Sequence, residues 1–61
     1  MSILNKQYTI LLADDHAIVR QGFIYIINDN CNSANIIEAS SFNEINSKLA
    51  NNLVDFIILD L

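Results

Sequence analysis

Basic residues are scarce in this chain, and their scarcity bears on function. The 61 residues include only three cations, Lys6, Arg20 and Lys48, against seven acidic residues, which gives a formal net charge of -4. Nucleic-acid-binding surfaces need clustered Lys and Arg side chains to neutralise phosphates. We therefore expect no direct contact between this segment and nucleic acid.

Cysteine and glycine each occur only once. Because Cys31 has no partner for an internal disulfide, the chain suits a reducing compartment such as the cytoplasm. The single glycine, Gly22, does not directly follow the first apolar run. The glycine-rich loop of a nucleotide-binding strand and helix is therefore absent from the place it would occupy. A nucleotide-binding enzyme fragment is an alternative with little support.

Long apolar runs are also missing. No run approaches the length of a membrane span, and residues 1–6 lack the features of a secretory signal peptide. We expect a cytoplasmic chain without a membrane partner. Residues 1–61 form at most one domain, and a domain of this size buries only about 60% of the surface that its unfolded chain exposes. Because 52% of the residues are hydrophobic, self-association is expected.

The apolar pattern in the first half predicts a strand followed by a helix. Residues 8–13 form a continuous apolar run, which is typical of a strand covered on both faces. Helical spacing of apolar residues then predicts a helix over residues 16–28, with Asp15 as its N-cap. Arg20 lies off the apolar stripe of this helix and is expected to face solvent. A turn is predicted over residues 29–33 from their Asn and Asp content.

The second half predicts a strand, a helix and a strand. The second strand is expected over residues 35–39, and Ser41 with Glu44 fits a capping box that begins the second helix. The core stripe of this helix is expected to comprise Phe42, Ile45 and Leu49, and Asn51-Asn52 would end it. Residues 54–60 form the third strand. This alternating order implies right-handed crossovers and a parallel sheet.

Acidic side chains close two of the predicted strands. Asp14 and Asp15 follow the first apolar run, and Asp60 ends the third strand. If these strands are parallel neighbours, the three carboxylates meet in one crevice. Their mutual repulsion then requires a divalent cation or a shifted proton. The alternative is that Asp14 and Asp15 only cap the first helix, and both interpretations can hold. His16 is interpreted as a solvated residue without a chemical role.

The run Leu11-Leu12-Ala13-Asp14-Asp15-His16, with Asp60 at the end of the third strand, resembles the receiver domain of bacterial response regulators. That run, followed by Val19-Arg20 and Gly22-Phe23, looks especially like receivers that precede a helix-turn-helix output domain. The resemblance covers the whole chain as the first half of such a domain. It implies an α/β fold of the flavodoxin-like type, truncated to βαβαβ, with three parallel strands in the order 2-1-3.

The resemblance implies a phosphoacceptor in two-component signal transduction rather than an enzyme. Asp60 would accept a phosphoryl group from a sensor histidine kinase. Asp15 would ligate Mg2+ directly, Asp14 would hold it through a water molecule, and a carboxylate oxygen of Asp60 would complete the side-chain ligands. Mg2+ suits such a set because it prefers hard oxygen ligands and keeps several waters. The parent protein would regulate transcription through its output domain.

Two further functions stay open at this point. In the first, the chain is a truncated, phosphorylation-incompetent receiver fragment that only self-associates, through an exposed third strand or uncovered helix faces. In the second, Asp60 is the nucleophile of a metal-dependent phosphohydrolase. Such enzymes usually need a further acid two residues after the nucleophile, and Leu61 is the last residue of this sequence.

Overall fold

Strands and helices alternate along the chain. The computed structural model describes residues 7–30 and 34–61. The described residues do not include 1–6 or 31–33. Residues 31–33, which begin with Cys31, are the last three of the predicted turn. The elements in chain order are β1 (Tyr8–Asp14), α1 (Ala17–Asn30), β2 (Ala34–Ala39), α2 (Phe42–Asn51) and β3 (Phe56–Asp60). Neither helix of the described ranges combines the length and hydropathy that crossing a bilayer requires.

The central strand β1 pairs with both other strands. The sheet is parallel, with the order β2-β1-β3. The predicted fold is confirmed: this is an α/β chain with the βαβαβ arrangement and the 2-1-3 strand order expected of the flavodoxin-like type. Leu11, Leu12 and Ala13 are fully buried, because the strand has neighbours on both edges and is covered on both faces. Because both faces of β1 are covered, its apolar residues form a continuous run rather than an alternating pattern.

The two helices cover β1 and β2 and leave β3 bare. Within the described ranges, α1 and α2 each pack against β1 and β2, and they contact neither β3 nor one another. In the sheet, β2 lies on one side of β1 and β3 lies on the other, so the crossover from β1 to β2 and the crossover from β2 to β3 run in opposite directions. Right-handed crossovers in opposite directions put the two helices on opposite faces of the sheet. The side chains of β3 are therefore less covered than those of β1.

The core on the α2 side is small. Leu11, Ala13, Ala39 and Ile45 form it, with Ile37 and Val54 packed against them. Ile45 is the one residue of the predicted α2 stripe that is buried. The prediction is wrong for Phe42 and Leu49, which are exposed, because α2 packs against β1 and β2 and does not extend over β3.

The N-terminus of α2 has the predicted cap with one change. Ser41 Oγ accepts a hydrogen bond from the Glu44 amide at 3.2 Å. The Glu44 carboxylate, however, accepts from the amide and hydroxyl of Ser40, at 3.0 and 2.8 Å, rather than from the Ser41 amide. These bonds lower the pKa of Glu44. The predicted end of the helix at Asn51-Asn52 is confirmed, since Asn52 is the C-cap.

We predict that Leu11→Ala strongly destabilises the chain. Leu11 is fully buried in the core beside Ala39 and Ile45, and a buried Leu→Ala change costs about 3 kcal/mol. Urea unfolding monitored by circular dichroism measures the loss. Leu53→Ala is the matched control, because Leu53 is 95% exposed. Equal effects of the two substitutions would contradict this assignment of the core.

Candidate acidic site

Asp14 brings a carboxylate into the interior at the end of β1. It is the last residue of that strand and is 0% exposed. Its Oδ1 accepts a hydrogen bond from the His16 amide at 2.8 Å. Its Oδ2 is buried and has no hydrogen-bond partner among the described residues. A buried carboxylate oxygen without a donor is costly, and a cation is one kind of group that would satisfy it.

His16 lies between the two adjacent carboxylates. Its Nδ1 is 2.8 Å from Asp15 Oδ1 and 3.2 Å from Asp14 Oδ1. One ligand atom from each of the three residues lies within 4.8 Å of the others. The sequence interpretation gave His16 no role, although a signal was present. Asp side chains often accept from the amide two residues further on, and this places the imidazole beside Asp14.

Asp60 flanks this group from the neighbouring strand. The register of β1 and β3 pairs Asp14 directly with Asp60, and adjacent strands lie about 4.8 Å apart. The Asp60 side chain is near enough to contribute to lowering the pKa of Asp14. It is exposed, whereas Asp14 is buried. The structure thus places the ends of β1 and β3 side by side, and the roles of Asp14, Asp15 and Asp60 as metal ligands and phosphoacceptor stay predictions.

The pKa of Asp14 is held below its usual value. The largest cause is the hydrogen bond from the His16 amide, which stabilises the charged form. Burial opposes this effect, and the His16 side chain supports it through a hydrogen bond and through charge. The contact with Asp60 contributes least. The Asp14 carboxyl is therefore ionised at neutral pH.

The start of α1 lies next to the acidic group. The helix begins at Ala17, and the Arg20 amide donates to the His16 carbonyl at 3.0 Å. His16 is therefore the N-cap, and the prediction of Asp15 in that position is wrong. Within the described ranges, neither Asp14 nor Asp15 accepts a hydrogen bond from an amide of α1 itself. Helix capping alone therefore does not explain the two carboxylates.

The acidic group can bind a cation on chemical grounds. Carboxylate oxygens are hard ligands that suit Mg2+, and an imidazole nitrogen also suits transition metals. Comparisons with known protein families, curated proteins and solved structures find no match to this chain.

We predict that the Asp14 carboxyl titrates below the ordinary value of 3.8. Because its pKa is lowered by folding, its stabilising effect is complete above the unfolded value and is lost as the pH falls through the folded value. His16→Ala should raise the pKa only in part, since the backbone amide, the largest cause, remains. Carboxyl 13C NMR titration measures both proteins. A wild-type midpoint at or above 3.8 would contradict this account.

Proposed function

We propose that this chain is a receiver segment of bacterial two-component signal transduction, in which Asp60 accepts a phosphoryl group from a sensor histidine kinase. The observation that carries the proposal is the register pairing of Asp14 with Asp60. It sets an exposed carboxyl beside a buried, ionised one at the carboxyl end of a parallel sheet, where α/β folds bind their ligands. A cytoplasmic location and transcriptional control through an output domain belong to the same proposal.

A divalent cation fits the residues at this site. Asp14 offers a buried oxygen that has no donor within residues 7–30 and 34–61, and Asp15 offers an exposed carboxylate next to it. In the proposal these two residues and Asp60 hold Mg2+, which prefers oxygen ligands. When bound, Mg2+ would supply positive charge that offsets the repulsion between an anionic donor and the carboxylates.

The transfer step uses Asp60 as a nucleophile. One of its carboxylate oxygens forms a bond to phosphorus, while the bond from phosphorus to the donor's leaving atom breaks and the electron pair departs with that atom. Asp60 is the last residue of β3 and is exposed, so a donor can approach it. The chain then acts as a phosphoacceptor rather than as an enzyme with a separate substrate.

We predict that acetyl phosphate with Mg2+ phosphorylates Asp60. Asp60→Asn should abolish the label because the amide is a poor nucleophile. Asp55→Asn is the matched control: Asp55 precedes the opposite end of β3, where its carboxylate accepts from the Thr9 amide at 2.8 Å. Intact mass and peptide mapping locate the label. Labelling at another residue, or none on folded wild-type protein, would count against the proposal.

A second candidate function, self-association, is supported by the bare side of β3. Within the described residues, β3 pairs with β1 alone and neither helix contacts it. Ile57 and Leu59 are 48% and 56% exposed on this strand. A free strand edge with apolar side chains pairs readily with another chain. We propose that copies of the chain associate through this edge, with the exposed helix residues Ile18 and Tyr25 as the alternative surface.

We predict that Ile57→Lys weakens this association. A charge on an edge strand opposes pairing with another strand, so the variant should sediment as a smaller species than the wild type. Leu53→Lys is the control, because Leu53 is exposed and precedes the strand. Sedimentation equilibrium at micromolar concentration compares the three proteins. A compact wild-type monomer would refute association through β3.

A further inference from the structure

Arg20 connects three elements beside the acidic site. It was predicted to face solvent, and this prediction is wrong: its side chain is 17% exposed. From α1, its Nη1 donates to the main-chain carbonyl of Asp14 at 2.6 Å. Its Nε donates to Glu38 Oε1 on β2 at 3.0 Å. The guanidinium group therefore joins the end of the central strand to its neighbour and to the helix.

Arg20 holds the backbone on both sides of Asp15. Its side chain binds the carbonyl of Asp14, and its backbone amide binds the carbonyl of His16 at 3.0 Å. These two carbonyls bracket Asp15. Because the guanidinium is planar, the bond from Nε to Glu38 also orients the Nη1 group that donates to the Asp14 carbonyl. One residue thus restrains the backbone that carries all three side chains of the group.

We propose that Arg20 is a positioning residue, which fixes the backbone of residues 14–16 so that the carboxylates of Asp14 and Asp15 are held ready to bind a divalent cation. This inference rests on the proposed function and deepens it, since Arg20 acts on the site without being a ligand. Groups that orient the ligands of a metal contribute to its affinity in this way.

Charge alone predicts the opposite effect. Arg20 is a cation near anionic ligands, so its removal makes the surroundings more negative and should strengthen Mg2+ binding by Coulomb attraction. Loss of positioning should weaken it. The direction of the change in affinity therefore separates the two effects.

The experiment titrates the full chain with Mg2+ alone, followed by calorimetry. We predict that Arg20→Met and Arg20→Lys each bind about tenfold more weakly than the wild type. Arg20→Lys keeps the charge, but an ammonium group cannot reproduce the planar fork between Asp14 and Glu38. Lys48→Met is the control, because it removes the same charge from α2 and should bind like the wild type. Equal or tighter binding by a folded Arg20 variant would overturn the inference.

A second measurement does not depend on the cation. The His16 amide donates to Asp14 Oδ1, and the Glu44 amide donates to Ser41 Oγ at a separate helix start. We expect hydrogen exchange to quicken at His16 and not at Glu44 in the Arg20 variants. Faster exchange at both amides indicates general destabilisation, and unchanged exchange at His16 indicates no positioning; either result would overturn the inference. Arg20→Lys decides the question if Arg20→Met does not fold.

Asp15→Asn tests the proposed function in the same titration. Wild-type chain that does not bind Mg2+, or binding that Asp15→Asn leaves unchanged, contradicts the cation site. The exchange of the His16 amide then still decides whether Arg20 positions the group. The two failures are therefore distinguishable.

Discussion

Burial of β1 on both faces is the constraint from which the acidic site follows. The strand lies at the centre of the sheet, and its side chains from Leu11 to Asp14 are fully buried. Burial of apolar side chains on such a strand favours folding, but the last residue of β1 is an aspartate. The interior must stabilise that charge. The His16 amide and imidazole do so at Oδ1, whereas Oδ2 has no hydrogen-bond partner in the part of the chain that the structure describes. Burial of Asp14 Oδ2 is therefore not compensated by a hydrogen bond from the described residues.

The sequence predicts the parts of the fold that depend on local pattern. The apolar run of residues 8–13 indicated a central strand, and Ser41 indicated the start of α2; the structure confirms both. The Asn and Asp content of residues 29–33 predicted a turn that begins too early. Asn30 was assigned to a turn, yet its Nδ2 donates to the Ile26 carbonyl at 2.8 Å and α1 continues to this residue. Because a side chain can bond the backbone at the end of a helix, Asn content alone does not distinguish a turn from a helix end.

The site is predictable only in part, for a physical reason. Acids at strand ends are visible in the sequence, and parallel pairing brings such ends together. The contact of Arg20 with Glu38 joins residues 18 positions apart, and it exists because α1 packs against β2 as well as β1. Helical periodicity reports which residues share a face. It does not report that a side chain at the edge of that face reaches over the end of the neighbouring strand.

The strand order also separates the parts of the proposed mechanism. Asp60 adjoins Asp14 from β3, whereas Arg20 links the Asp14 carbonyl to Glu38 on β2, the strand on the other side of β1. The edge of β3 that could pair with another chain faces away from β1, and so away from Asp14. Association through that edge would leave the contacts of Arg20 intact. The two proposed functions, phosphoryl acceptance and self-association, are therefore compatible in one chain, since the first would use the end of the sheet where β1 and β3 meet and the second would use the opposite edge of β3.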